Sequence, residues 1–373
     1  MKLNKLIIKN FRNFYDLMIE FNDGINLITG MNGQGKTSIL ESIYYLALTK
    51  SFRTVNDKNS INNQNEFFNI SGNFTNQSSG IENIRVYFSK KEGKNVFFNG
   101  SKVLKFSDYI GKIPCIVLTL EDLKLVQGTP GIRRKFLDIL LSQVSPVYLE
   151  NLKRLKKTIL HRNMLLMSEN VFNKKNQIDI WNRQLVEHGS QIIEKRLEVV
   201  SFLNSNISEY YNKFSKTEEE NLSIKYDASI GTNINNLSIE DIKKIFHKKI
   251  DYSFKYEIEK GKTIIGPHRD DLIFNKNNNS LKEFASQGEI KTFIIAIKLL
   301  EWKYVNTQRN IKPILLLDDI FGELDETRIN GLLFFLKRNG QIFITTTLND
   351  KFDNSMVNNK ITVKNKKIYY ARK

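Results

Sequence analysis

The segment "GMNGQGKT" at residues 30–37 restricts the possible folds of this chain more than any other feature. It fits the pattern G-x-x-x-x-G-K-S/T without a mismatch. The apolar run "GINLI" precedes it, and the helix-like run "TSILESIYYLAL" follows it. A strand, a glycine-rich loop and a helix in this order direct backbone N–H groups and a positive helix end at phosphates. The sequence therefore predicts an α/β fold that binds a nucleotide.

This loop supplies most of the predicted contacts to ATP. Lys36 is expected to reach the β- and γ-phosphates, and the Thr37 hydroxyl is expected to ligate Mg²⁺. ATP and Mg²⁺ are therefore the predicted ligands. The nucleotide-binding residues predicted in this segment are Gly30, Met31, Asn32, Gly33, Gln34, Gly35, Lys36, Thr37 and Ser38.

A pair of acids, Asp318 and Asp319, follows the apolar run "ILLL" late in the chain. Asp318 is predicted to hold Mg²⁺, directly or through water, and Asp319 to orient or deprotonate the attacking water. A helix cap or a turn is the alternative explanation, and the intact phosphate loop favours the chemical one. Lys36 and Asp319 are therefore the predicted catalytic residues.

The distance between the two motifs predicts an insertion, since 282 residues (318 − 36) separate Lys36 from Asp318. A compact phosphate-loop kinase does not usually have so much chain there. Helical spacing at 147–215 indicates a helical hairpin as the inserted lobe. We expect residues 1–145 and 223–373 to form the two halves of the ATPase lobe, with residues 146–222 as the inserted lobe.

Shorter patterns predict the other elements. Residues 61–105 indicate antiparallel strands, with a tight turn at Asn99-Gly100. After the inserted lobe, "LSIKYDAS", "FKYEIEKGKTIIG" and "DDLIFN" all favour strands. A helix is expected at 287–306, directly after Ser286.

The motif "SQGE" at 286–289 offers a second anion site at that helix start, although ordinary helix capping explains it equally simply. It precedes Asp318 by 32 residues (318 − 286). With the phosphate loop and the acid pair, this order resembles the ABC-type ATPases, and within their SMC-related branch it closely resembles the RecF family of bacterial recombinational repair proteins. The segments that carry the closer resemblance are "LIIKNFRNF" at 6–14, "GMNGQGKTSILESIYYLALTKSFR" at 30–53, "LEDLKLVQGTPGIRRKFLD" at 120–138, "GPHRDDL" at 266–272, "SQGEIKT" at 286–292, "LLLDDIFGELD" at 315–325 and "ITTT" at 344–347.

The resemblance implies further site residues. Ser286 and Gly288 would contact the γ-phosphate of a nucleotide bound by a second protomer, which makes the homodimer ATP-dependent. Asp325 matches the loop that links two such sites. Gln127 is the candidate for the glutamine that senses Mg²⁺, although a glutamine beside Gly128 is also ordinary turn chemistry.

Other residues of the resembling segments have less defined roles. Arg12 and Asn13 would border the nucleotide. Asp319 replaces the glutamate common in ABC transporters, and 345–347 are threonines where those proteins carry a histidine, so hydrolysis is expected to be slow. His268 and Arg269 of "GPHRDD" form either a structural ion pair with the adjacent acids or a phosphate or DNA contact.

The function implied by the resemblance is an ATP-binding, slowly hydrolysing, DNA-binding protein of replication and recombinational repair. It would bind single-stranded DNA, double-stranded DNA and their junctions without sequence specificity, help to load recombinase at gaps, and work with RecO and RecR in the SOS response. The alternative is another SMC-like or overcoming-lysogenization-type ATPase of DNA metabolism or defence. A transporter's nucleotide-binding subunit and a small-molecule kinase fit less well.

Composition agrees with a nucleic-acid partner. The net charge is +17, from 57 Lys and Arg against 40 Asp and Glu, although a Lys-rich proteome is an alternative cause. No apolar run approaches the ~20 residues of a membrane helix, and Lys5, Lys9 and Arg12 interrupt the region where a signal peptide would be apolar. Cys115, the single cysteine, is expected in the core. We therefore expect a cytoplasmic location and no membrane partner.

Overall fold

The computed structural model describes residues 1–76, 80–168, 175–215, 220–231, 234, 237–324, 326–337, 339–348, 352 and 356–370. The chain packs as two compact units. The first consists of Met1–Asp122, Lys213–Lys216 and Ile294–Lys373, and the second of Leu123–Asn212 and Thr217–Phe293. Within the described residues, no helix is long and apolar enough to cross a membrane.

The described part of the chain contains both strands and helices. The strands are β1 (Lys2–Phe11), β2 (Phe14–Glu20), β3 (Ile25–Thr29), β4 (Phe67–Asn76), β5 (Gly80–Ser89), β6 (Gly93–Phe98), β7 (Ser101–Lys102), β8 (Cys115–Leu118), β9 (Leu222–Asp227), β10 (Asp271–Lys276), β11 (Asn279–Ser280), β12 (Ile314–Asp318), β13 (Ile342–Thr346), β14 (Asn359–Lys364) and β15 (Lys367–Tyr370). The helices are α1 (Lys36–Leu48), α2 (Lys124–Gln127), α3 (Pro130–Val144), α4 (Pro146–Leu166), α5 (Lys175–Asn212), α6 (Ile239–Lys260), α7 (Leu281–Phe284), α8 (Gln287–Arg309) and α9 (Glu326–Leu336).

The first unit contains a six-stranded sheet in the order β15-β14-β3-β13-β12-β8. Its strands are parallel except for the β14–β15 hairpin. The core strands are mostly apolar and almost fully buried, as expected for strands covered on both faces. Since β3 and β12 are both parallel to β13, their carboxyl ends lie at the same edge of the sheet. The phosphate loop follows β3 and the acid pair ends β12, so both lie at this edge.

A second sheet of this unit is antiparallel, in the order β2-β1-β4-β5-β6-β7. The predicted turn at Asn99-Gly100 is confirmed, with φ of 49° and 82°. Helix α1 contacts both sheets and is buried on nearly all sides, which explains its apolar sequence. The phosphate loop therefore precedes a helix that is held rigidly on two faces.

The second unit contains α2–α7, the start of α8 and a small sheet in the order β11-β10-β9. The expected helical hairpin is present as α4 and α5. The compact unit around it is wider than the inserted lobe expected at 146–222. It is wider because α3, α6 and β10 also pack with these helices and with β9.

The strand predicted for "FKYEIEKGKTIIG" is wrong, because its first residues form the end of α6. This helix begins after Ser238, whose side chain accepts a hydrogen bond from the Asp241 N–H, and ends at Gly261 in the left-handed conformation. Ile242, Phe246 and Ile250 follow helical spacing and are buried. The buried helical face overrides the local strand preference of the aromatic and β-branched residues.

An ion pair lies at the centre of the second unit. The side chains of Arg162 on α4 and Glu257 on α6 are fully buried and paired. The Arg162 guanidinium also donates to Asn182 Oδ1 at 2.7 Å and to Thr263 Oγ1 at 2.9 Å, and Glu257 Oε1 accepts from the Ile264 N–H at 2.8 Å. Each charged group is thus hydrogen-bonded on several sides, which a buried charge requires.

Candidate nucleotide site

The phosphate loop requires glycine at two positions for steric reasons. Gly30 has φ of 146°, and a Cβ there would lie 2.4 Å from the Val363 carbonyl oxygen. Gly35 has φ of 103°, and a Cβ there would lie 2.6 Å from the Phe14 ring. The loop is therefore held against β14 and β2 in a conformation that other residues rarely adopt.

Lys36 lies across this loop. Its Nζ donates to the carbonyl oxygens of Gly30 at 2.7 Å and Met31 at 3.1 Å. Burial lowers the pKa of Lys36, and the carboxylates of Asp319 and Asp318 partly oppose this effect. A desolvated ammonium at this position is suited to donate hydrogen bonds to phosphate oxygens, which are strong acceptors.

The two predicted metal-binding side chains meet. Thr37 Oγ1 donates to Asp318 Oδ1 at 2.9 Å, although 281 residues separate them. Thr345 Oγ1 donates to the same oxygen at 2.7 Å. Burial raises the pKa of Asp318, while these hydrogen bonds from Thr345 and Thr37 oppose the change. Thr345 thereby orients the Asp318 carboxylate, a contact that sequence spacing does not reveal because a threonine in a buried strand carries no distinctive signal.

Asp319 adopts a left-handed backbone with φ of 51°. Its N–H donates to the Thr345 carbonyl oxygen at 3.2 Å and to Thr345 Oγ1 at 3.0 Å. A residue with a side chain rarely adopts this conformation, and such strain concentrates at functional positions. The bend turns the chain immediately after β12 and keeps the Asp319 carboxylate near Lys36.

Of the pair expected beside the nucleotide, Asn13 reaches the loop and donates to the Gly33 carbonyl oxygen at 3.1 Å. Arg12 instead forms two hydrogen bonds to Glu41 on α1, at 3.0 and 2.6 Å. Glu41 is fully buried and also contacts Arg53 and Ser51. Glu41 is not among the predicted site residues, although a single acid within the apolar run of α1 is a signal for a buried, paired charge.

The residues predicted for the partner's nucleotide belong to the second unit. Ser286 and Glu289 form a capping box at the start of α8, in which Ser286 N donates to Glu289 Oε2 at 2.7 Å and Glu289 N to Ser286 Oγ at 3.3 Å. A Cβ at Gly288 would meet no atom within 4 Å, so the surface above it is open. Gln127 is exposed at the end of α2, and Asp325 lies outside the described residues.

Known proteins match nearly the whole chain. The family described as "RecF/RecN/SMC N terminal domain" matches residues 2–369 of this chain. The DNA replication and repair protein RecF of Chloroherpeton thalassium is 39% identical over 351 residues, which cover 93% of this chain and 95% of that protein. The chain belongs to the RecF family. The other SMC-like ATPases expected as the alternative are therefore set aside.

Solved structures confirm the predicted ABC-type ATPase fold. A structure of the recombination mediator protein RecF-ATP in the RecFOR pathway has a TM-score of 0.90 at 27% identity, covering 99% of this chain and 97% of that chain. An SmcHead bound to the C-winged helix domain of ScpA has a TM-score of 0.58 at 16% identity, covering 100% and 98%, and shares the fold. This RecF-family chain therefore combines an ATPase core with an antiparallel region and a helical unit.

The acids of the "GPHRDD" segment of this RecF-family chain are bound within the second unit, and their partners differ from the ion pairs expected. Asp271 is paired with both Nε and Nη2 of Arg133, at 2.6 and 2.8 Å. Asp270 is buried and accepts hydrogen bonds from the Tyr226 hydroxyl and from the Ser229 N–H. Neither acid pairs with His268 or Arg269, both of which contact the Thr263 carbonyl oxygen instead.

The burial of His268 leads us to expect that the stability of the fold depends on pH. Burial lowers the pKa of His268 from 6.5 to about 4, helped by Arg269 and opposed by the Thr263 carbonyl. Between these values the unfolded chain binds more protons than the folded one, so stability falls as the pH falls. From pH 7 to pH 5 we expect the wild type to lose about 1–2 kcal/mol more than His268→Gln. Urea unfolding at both pH values measures this difference.

The exposed His247 on α6 provides the control for this experiment. His247→Gln should keep the pH dependence of the wild type. Parallel curves for the wild type and His268→Gln between pH 7 and pH 5 would contradict the buried, neutral state of His268.

The side chains beside the loop fit Mg²⁺ chemically. Thr37 Oγ1 and Asp318 Oδ1 are hard oxygen donors that already lie side by side. Among the described residues there is no cluster of three His, Cys, Asp or Glu that could hold a metal by itself.

Proposed function

We propose that this member of the RecF family is an ATP-binding, slowly hydrolysing, DNA-binding protein of replication and recombinational repair. The hydrogen bond between Thr37 and Asp318 carries the proposal, because it joins the phosphate loop to the acid of a distant strand. The relatives' name, DNA replication and repair protein RecF, and the structure of RecF-ATP support it.

The phosphate loop and the acid pair would have separate roles in binding and hydrolysing ATP. Backbone N–H groups of 33–38 and the Lys36 ammonium would bind the phosphates. Thr37 and Asp318 would hold Mg²⁺, which supplies charge neutralisation at the phosphates when bound. Asp319 would accept the proton of the attacking water. Its short side chain, and a threonine at position 345 instead of an imidazole, favour slow turnover.

Dimerisation would depend on ATP. Ser286 caps α8, and Gly288 lies in its first turn. The N-terminal end of a helix favours a phosphate anion. Bound to the γ-phosphate held by a second protomer, Ser286 and Gly288 would close a homodimer that opens after hydrolysis. In this way ATP acts as the ligand that closes a clamp on DNA.

The DNA partner follows from the charge and the family. A net charge of +17 favours contacts to backbone phosphates, which carry no sequence specificity. We propose binding to single-stranded DNA, duplex DNA and their junctions at gaps, with RecO and RecR as partners in loading recombinase.

The dimer model predicts the behaviour of Ser286→Arg. We expect the wild type to sediment as a dimer only with ATP and Mg²⁺, and the variant to remain a monomer while its affinity for ATP changes less than threefold. A bulky cation at the helix start blocks the partner's phosphate sterically, but it leaves the variant's own loop intact. Analytical ultracentrifugation with and without ATP, alongside ATP-binding calorimetry, measures both properties.

Ser238→Arg is the matched control, because Ser238 caps α6 in the way that Ser286 caps α8. Loss of either cap costs about 1 kcal/mol of stability. The control should still dimerise with ATP. A wild type that remains monomeric with ATP, Mg²⁺ and DNA would overturn the clamp model.

A further inference from the structure

The antiparallel sheet of the first unit has one face that points to solvent. Its inner face, which includes Phe68, Ile70 and Phe74 of β4, is buried, and Phe68 packs against Tyr45 of α1. The alternate residues of β1 and β4–β7 therefore project outward and, apart from the buried Ser89, are partly or fully exposed. We call this outer surface of β1 and β4–β7 the sheet face.

Aromatic rings and a guanidinium are interleaved on the sheet face. The Arg85 guanidinium lies 4.1 Å from the centre of the Phe97 ring. The rings of Phe67 and Tyr87 pack at 5.7 Å with a tilt of 33°. Phe97 and Tyr87 are cross-strand neighbours on the diagonal, since Arg85 is paired with Phe97 and Tyr87 with Asn95. Partly exposed rings and guanidinium planes at this spacing are suited to stacking with unpaired bases.

Amide side chains fill the spaces between the rings. Asn69 is opposite Tyr87, and Asn73 is opposite Asn83, whose Nδ2 donates to Asn73 Oδ1 at 3.1 Å. The outward residues of β4, β5 and β6 between Phe67 and Phe97 include no carboxylate. Amides can hydrogen-bond to base edges and to sugars as donors and as acceptors.

The outermost strands of the sheet face, β1 and β7, carry lysines. Lys9 and Lys5 of β1 are opposite Asn69 and Asn73, and Lys102 of β7 is opposite Phe97. The acids Asp16 and Glu20 of the edge strand β2 are the cross-strand partners of Lys9 and Lys5. Since β1 lies between β2 and β4, a polyanion is favoured towards β4–β7 and disfavoured at β2.

We propose that the sheet face binds single-stranded DNA, with bases stacked on Tyr87, Phe97 and Arg85 and with phosphates near Lys5, Lys9 and Lys102. A single strand fits better than a duplex, because the bases of a duplex are stacked on each other and cannot reach the rings. The proposal rests on the proposed DNA-binding function and assigns the surface that performs it.

The test compares Tyr87→Thr and Phe97→Thr with the wild type, since threonine suits a strand but has no ring. The probes are a labelled oligo-dT of about 20 nucleotides, the same strand with abasic sites, and a duplex of equal length, followed by fluorescence anisotropy. Each substitution should weaken oligo-dT binding on the order of tenfold. Duplex binding and the melting temperature should not change. The wild type should lose affinity for the abasic strand, and the variants should discriminate against it much less.

The control is Tyr369→Thr, which removes an exposed ring from a strand of the other sheet. It should bind oligo-dT as the wild type does. Unchanged oligo-dT affinity in both sheet-face variants overturns the proposal, as does an equal loss of single-strand and duplex binding. Variants that change self-association without changing DNA affinity would make the face an interface between two copies. A wild type that binds ATP but neither form of DNA would instead refute the proposed function itself.

Discussion

Lys36→Met is expected to lower the affinity for ATP by about 100-fold or more while the chain remains folded. Hydrogen bonds to charged groups contribute about 1.5–3 kcal/mol each, and Lys36 would face the oxygens of two phosphates. The ammonium is buried and its pKa is lowered, so its replacement by an apolar chain of similar length should not reduce stability. Titration calorimetry with ATP and Mg²⁺ measures the affinity, and thermal unfolding measures the stability.

Lys244→Met is the matched control for this substitution. Lys244 is an exposed residue of α6 in the second unit, paired with Asp241. Its loss should leave ATP affinity unchanged. If Lys36→Met binds ATP as tightly as the wild type, the loop is not the nucleotide site and the proposed function fails at its first step.

Glu257→Gln is expected to lower the free energy of unfolding by about 3–5 kcal/mol. The substitution preserves the shape of the side chain but leaves the Arg162 charge buried without its counter-ion. The desolvation of that guanidinium is then no longer offset, although Asn182 and Thr263 still accept hydrogen bonds from it. The shift of the urea midpoint, followed by circular dichroism, measures the loss.

Two further variants test the cause of this loss. Glu198→Gln removes an exposed ion pair with Lys195 and should cost less than about 1 kcal/mol. The double variant Arg162→Met/Glu257→Leu removes both charges and should recover most of the stability lost by Glu257→Gln. A loss in Glu257→Gln no larger than in Glu198→Gln would contradict a stabilising role for the buried pair.

The nucleotide site was predictable because its requirements are local. A glycine-rich loop between a strand and a helix is specified within residues 25–48, and an acid at the end of an apolar strand is specified by its neighbours. Thr37 and Asp318 were therefore expected at one place, and they lie within hydrogen-bonding distance because parallel strands of one sheet end at the same edge. The order of motifs along the chain was sufficient for the ABC-type fold and the RecF family.

The local sequence pattern predicted the wrong conformation where the burial of one helical face stabilised a helix instead of a strand. The segment at 254–260 has strand-forming residues, yet it continues α6 because the helix buries one face. The limits of the second unit also depended on packing, since α3 and β10 lie outside the helical spacing that predicted residues 146–222. These choices depend on which surfaces meet, and sequence spacing does not contain that information.

By itself, the sequence determined the chemistry available to this protein: the phosphate loop, the acids and the positive charge. The tertiary structure decided which of these groups are engaged. It paired Arg12 with Glu41, placed Thr345 on Asp318, and bound the "GPHRDD" acids to Arg133 and Tyr226. It also left the rings of the sheet face partly exposed. The physical reason is desolvation. A charge or polar group that folding removes from water must find a partner, and only the folded chain decides which partner is within reach.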